Sequence, residues 1–274
     1  MNMSKNSIFL SSGCFTGRIN GRDPHLLSRY YDKIESDGFE LMLFDDLYPN
    51  IKSTVSEYLA LNIPIRIIHM NKRIGDLLST PGEENLHAAR ELLKRDMEIT
   101  LSLGACRGVY HPWGIPDSDK YPEMLTERIL SLFELGDGSG VELLPENCVC
   151  VNADPLKWLL AVLKQAPGRR VTVDTRAAAF HGQLSETLEK LLLCGGIGHF
   201  HIIDYIGAPL DWEARKNIPQ PGDGGIDWQG FFAALNNSGY RGTVTMESPH
   251  MLTDGVDYPL FNKSLEFIRK NLNS

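Results

Sequence analysis

The chain has 274 residues and is 42% hydrophobic, enough apolar material for a sizeable core and within the usual size of one α/β barrel. Its 35 acidic against 27 basic residues give a formal net charge of −8 with no Lys/Arg-rich block, which argues against a nucleic-acid partner. Five cysteines in irregular spacing (Cys14, Cys106, Cys148, Cys150, Cys194) read as buried thiols of a reducing cytoplasm, not as a disulfide framework.

The N-terminus carries one lysine, Lys5, ahead of the short apolar run 8–10, too little for a signal-peptide core, and no run approaches a membrane span. A first strand is expected over 8–13, followed by a helix over 24–37 that Asp23-Pro24 opens and Gly38 closes. Strand 39–44 and helix 52–61 come next. Strand 63–70 brings His69 to its end, before a long helix over 81–103 that Gly104 stops. Strand 107–111 ends at His111 and helix 121–135 at Gly136. Strand 141–146 ends at Glu146, with helix 155–165 opened by Asp154-Pro155. Strand 170–174 ends at Asp174, with helix 184–193 stopped by Gly195-Gly196. Strand 199–204 carries His201 and leads into the longest loop, 205–227, rich in Gly and Pro and read as a lid or binding loop. Helix 228–237 lies between Asp227 and Gly239; strand 243–247 ends at Glu247, and helix 258–272 closes the chain.

Eight strand–helix units of roughly 34 residues each predict a (β/α)8 TIM barrel in a single domain, 1–274. Strand parity agrees. Thr172 shares a face with Asp174, and Thr243 and Thr245 with Glu247, while the valines between them face the surrounding helices.

Polar residues at the C-terminal ends of barrel strands converge on one site. Glu146, Asp174, His201 and Glu247 end the last four strands. Three carboxylates and an imidazole form a hard, oxygen-rich donor set for one divalent ion (Mn, Mg, Co or Zn), because three buried carboxylates without a cation would repel. His199 shares a face with His201 but sits lower, as a core histidine. Asp204 either orients His201 or is a loop carboxylate. Trp113 is placed to stack on the apolar face of a small polar substrate, and Arg215, with Lys216, to bind an anionic group. Glu40 and the pair Asp45-Asp46 end the second strand, where one of them could face the site. No phosphate-cradling glycine loop is present.

Pro145-Glu146-Asn147, Asp174-Thr175, the 201–204 stretch, the 221–227 stretch and the 239–242 turn leading to Glu247-Ser248-Pro249 together resemble the xylose isomerase-like TIM barrels. The resemblance implies that Glu146, Asp174, His201 and Glu247 are the shared metal ligands. It further implies that Glu146 and Glu247 double as the acid/base pair of an isomerase or epimerase. His69 and His111 match strand-end histidines that zinc AP-endonucleases use, and are assigned here to the substrate pocket. Position 177, a substrate- or zinc-binding histidine in much of the family, is Ala177; His181 is the candidate substitute. The expected function is a metal-dependent isomerase or epimerase acting on a small sugar or polyol through an enediolate-type proton transfer, with a homo-oligomer compatible. Alternatives are an inosose-dehydratase-like lyase, an AP-endonuclease-like nuclease and a non-catalytic sugar-binding barrel; the incomplete trinuclear set weighs against the nuclease.

Overall fold

Short apolar runs closed by turns form eight parallel strands: β1 (Ser7–Ser11), β2 (Phe39–Met42), β3 (Ile65–His69), β4 (Arg107–Tyr110), β5 (Glu142–Pro145), β6 (Val171–Asp174), β7 (Ile197–Ile202) and β8 (Thr243–Met246). The computed structural model describes residues 6–272; Lys5 and the rest of residues 1–5, with 273–274, lie outside the described residues. The strands pair in the order β5-β4-β3-β2-β1-β8-β7-β6, and a single bridge from Glu146 to Thr172 joins the two outer strands, closing the (β/α)8 barrel.

Ten helices surround it among the described residues: α1 (His25–Tyr30), α2 (Ile51–Ala60), α3 (Arg73–Ser79), α4 (Glu83–Ser102), α5 (Pro122–Ser139), α6 (Pro155–Gln165), α7 (Thr175–Phe180), α8 (Leu184–Leu193), α9 (Trp228–Ser238) and α10 (Tyr258–Leu272). The main core fills the layer between strands and helices. A separate apolar knot of Phe9, Ile67, Val109 and Leu144 plugs part of the barrel interior. Thr172, Thr245, Glu40, His199 and His201 are buried polar residues, and the last four meet one another inside the barrel, as strand parity predicts.

Several expected boundaries differ. The first helix stops at Tyr30, with one 3-10 turn to Lys33. The segment beyond is captured by tertiary bonds: Asn262 Oδ1 accepts from Glu35 N–H, and Asp37 Oδ2 accepts from Ile8 N–H. Gly136 does not end its helix. It lies inside α5, where a Cβ would meet the Val141 carbonyl oxygen at 2.8 Å, and Gly140 in the left-handed region (φ 79) makes the stop. Helices α3 and α7 were not expected. Both are short: α7 follows the end of β6 directly, and three residues separate α3 from β3, where Asn71 Oδ1 accepts from Arg73 N–H. The cysteines are all free thiols, but only Cys14, Cys148 and Cys150 are buried; Cys106 and Cys194 are exposed.

Candidate metal centre

Four successive strands deliver one ligand-type side chain each to the C-terminal mouth. Glu146 follows β5, Asp174 ends β6, His201 lies in β7 and Glu247 follows β8. One donor atom from each lies within 4.8 Å of all the others. His201 Nδ1 is 3.0 Å from Glu146 Oε1 and 3.0 Å from Glu247 Oε2. Its other nitrogen, Nε2, is 3.0 Å from Glu40 Oε1, fixing the ring so that Nδ1 faces the cluster. Asp174 also caps α7, its Oδ1 accepting from Ala177 N–H at 2.6 Å. Asn147 Nδ2 donates to the Asp174 carbonyl, tying the β5 end to the β6 end.

The electrostatics are those of buried carboxylates gathered around one imidazole. Burial opposes ionisation of Glu146 and Glu247, yet His201 and its histidine neighbours outweigh it and hold both carboxyls below the usual range. Burial, with Glu146 and Glu247 close by, pushes Asp174 up to about 7. Burial would discharge His201, but Glu247, Glu40 and Glu146 hold its pKa well above the ordinary value. Glu146 Oε2 is buried without a hydrogen-bond partner; His111 Nε2 lies 3.1 Å away and is not aligned to donate. A divalent ion fits this donor set: it would satisfy the orphaned oxygen, replace the proton on His201 and neutralise the carboxylates. Three oxygen donors and one nitrogen suit Mn²⁺, Mg²⁺, Co²⁺ or Zn²⁺. A second set, His69, His111 and Glu146, also converges.

The cluster floors a cavity of about 430 Å³ whose wall includes Glu146, Asp174, Glu247, His111, Ala177 and Arg215. A larger groove of about 1000 Å³ lies outside the barrel between α8 and α9 and holds none of the cluster.

Four expected placements are corrected. Trp113 is fully buried, set edge-on against Trp158 with its indole donating to the Val149 carbonyl, so it cannot stack on a ligand. His181 is outside the cavity wall; its Nε2 accepts from Cys150 N–H, because one helical turn carries it past the position of Ala177. His69 is 1% exposed, stacked on His201 behind the wall, and backs Glu146 at 3.6 Å instead of meeting a ligand. Lys216 points to solvent and pairs with Glu213.

Asp204 does not touch His201. It accepts from the backbone N–H groups of Tyr205, Gly222, Gly224 and Ile226 and from the Trp228 indole, ordering the long loop after β7. Asp45 and Asp46 stay outside the barrel, but Glu40 lies wholly within it, bonded to His199, His201 and Thr245. The signal for Glu40 was available: a lone carboxylate inside an apolar strand must be paired or functional. Arg176 and Lys72, which also line the cavity, carried no sequence signal.

A profile of the family described as xylose isomerase-like TIM barrel matches residues 31–271. Similar solved structures include a D-tagatose 3-epimerase-like protein, 19% identical over 97% of each chain with a TM-score of 0.75. A D-allulose 3-epimerase from Methylomonas sp., in complex with D-allulose, is 16% identical over 98% of each chain with a TM-score of 0.73. A 3-keto-D-glucoside 4-epimerase from E. coli is 18% identical over 97% of this chain and 100% of its own, with a TM-score of 0.69.

Proposed function

The chain belongs to the xylose isomerase-like TIM barrel family, and on that footing we propose that it is a divalent-metal-dependent isomerase or epimerase of a small sugar or polyol. The observation that carries this reading is the convergence of Glu146, Asp174, His201 and Glu247 on one point at the floor of an open cavity. Solved structures of similar fold named as sugar 3- and 4-epimerases support it.

A divalent ion bound there supplies Lewis acidity to a substrate carbonyl and its neighbouring hydroxyl, easing loss of the proton on the carbon between them. Moving that proton is the work of the two glutamates. Both line the cavity, from opposite sides of the barrel seam, and both are held as carboxylates by the histidines beside them. One removes the proton from one face of the substrate; the other returns it to the opposite face or to the neighbouring carbon. Glu40 positions His201, and His111 at the wall is placed to contact a hydroxyl. Ala177 leaves the wall beside Asp174 small and apolar, which favours a substrate other than a plain free ketose.

A second reading, hydrolysis at a multi-metal centre, draws on the convergence of His69, His111 and Glu146. Ala177, and a 205–227 loop without histidine, leave that centre short of ligands.

The test is a panel of ketoses, inososes and keto-sugar acids incubated with Mn²⁺-loaded protein in D₂O. The expected result is an epimer or isomer carrying deuterium beside the carbonyl. A dehydrated product would instead assign the lyase reaction. No deuterium uptake by any member, with metal bound, would overturn the reading.

A further inference from the structure

The metal-facing half of the cavity is acidic, but the half nearer solvent is the reverse. Five cations line it: Arg18 and Arg22 from the loop after β1, Lys72 after β3, Arg176 in α7 and Arg215 in the loop after β7. Among the described residues the carboxylates on the cavity wall are Glu146, Asp174 and Glu247, all committed to the metal centre. Arg22 is partly neutralised by Asp46 at 2.8 Å. Among the described residues neither Arg176 nor Arg215 has a carboxylate in such direct contact, though Asp174 acts on Arg176 from farther off.

These two arginines form the core of the inference. Arg176 donates through Nη2 to the backbone carbonyl of Arg215, so the two side chains share one corner of the cavity. Each has a buried Nε without a hydrogen-bond partner, and neither forms an ion pair among the described residues. Burial lowers the Arg176 pKa; Asp174 opposes it, and the neighbouring Arg215 adds to the lowering. Two half-buried guanidinium groups with open donors repel each other and are partly desolvated, a cost that an anion between them would relieve. A guanidinium fork matches the paired oxygens of a carboxylate or phosphate. A chain with net charge −8 that gathers cations at the mouth of this acidic cluster also draws an anion inward along that path.

We propose that Arg176 and Arg215 form an anion subsite, so that the substrate is a sugar derivative with a carboxylate or phosphate at the end remote from the metal. No Gly-rich phosphate loop is needed, since side chains supply the donors. The inference rests on the cavity being a sugar site, but it concerns binding and can fail separately from turnover.

The test is calorimetric binding of three unreactive probes to the Mn²⁺-loaded protein: D-glucitol, D-gluconate and D-glucitol 6-phosphate. At least one anion should bind ~10-fold or more tightly than D-glucitol, and the gap should narrow as salt rises. D-gluconate the tighter would assign a sugar acid, and D-glucitol 6-phosphate a sugar phosphate. The Arg176→Gln/Arg215→Gln pair should bring the preferred anion down to the D-glucitol level. Arg215→Gln alone, on a half-buried turn with little core to disturb, should lose part of the preference while circular dichroism stays unchanged. Equal binding of all three probes, no binding of either anion, or a preference that survives both folded variants would overturn the subsite. Anion preference intact in a protein without epimerase turnover would sink the proposed reaction and leave the subsite standing.

Discussion

His201 divides its two nitrogens between two tasks: Nε2 meets Glu40 and Nδ1 meets the carboxylates of the metal centre. Such a carboxylate–histidine contact fixes ring orientation and makes the free nitrogen a better ligand. We expect Glu40→Gln to lower Mn²⁺ affinity by roughly 10- to 100-fold without removing a ligand; metal titration of the two proteins measures it, and equal affinities would deny Glu40 that role. Glu247 has a different test, because the proposed function gives it two roles, ligand and base. Glu247→Gln should reduce turnover by at least ~10²-fold, and a variant that keeps both its metal and near-normal turnover would leave Glu247 a ligand only. The four residues of the cluster were legible in sequence because each stands at the end of an apolar run. Trp113 and His181 misled for a shared reason: proximity in sequence to a strand end does not say which way a loop turns. Trp113 turns under into the core, and His181 lies beyond α7.

Two buried aspartates shape the loops that frame the mouth. Asp204 gathers four backbone N–H groups and the Trp228 indole. Asp119 accepts from Val151, Asn152 and Ala153 N–H and from the Asn152 amide, ordering the loop after β5. Arg215 stands on the loop that Asp204 orders, so the cavity wall inherits that order. Replacing Asp204 with Ala orphans donors in a fully buried place. We expect a loss of about 2–4 kcal/mol in unfolding free energy, measured by denaturant titration, with faster proteolysis within 205–227. A loss below about 0.5 kcal/mol with an unchanged cleavage pattern would show that the loop holds its shape by other contacts. At this scale the strands and the capped helices α6 and α9 followed their sequence signals, each with a side-chain cap where Asp154 or Asp227 predicted one. Helix ends set by tertiary contacts did not: nothing local announces that Asp37 will be drawn to the start of β1.

Over the whole molecule, the period-two pattern of the strands decides where chemistry can occur. It sends Phe9, Ile67, Val109 and Leu144 into the barrel as an apolar plug, and Glu40, His199, His201 and Thr245 as a polar column. The cluster of Glu146, Asp174, His201 and Glu247 tops that column at the β5–β6 seam, where a single bridge closes the barrel. The net charge of −8 told against nucleic acid, but it concealed the local reversal at the mouth, where cations from three loops and α7 meet. Composition averages over the surface; only folding brings Arg18, Lys72, Arg176 and Arg215 to one rim.

Everything proposed for turnover depends on the ion, so metal content measured by mass spectrometry after loading with Mn²⁺ and exhaustive dialysis is the most direct test. We expect one divalent ion per chain in the wild type and its loss in His201→Ala, a variant whose fold is verified by circular dichroism. Wild-type protein that retains no ion would contradict the centre outright. Retention of two or three ions, reduced by His69→Ala or His111→Ala, would replace it with the multi-metal arrangement.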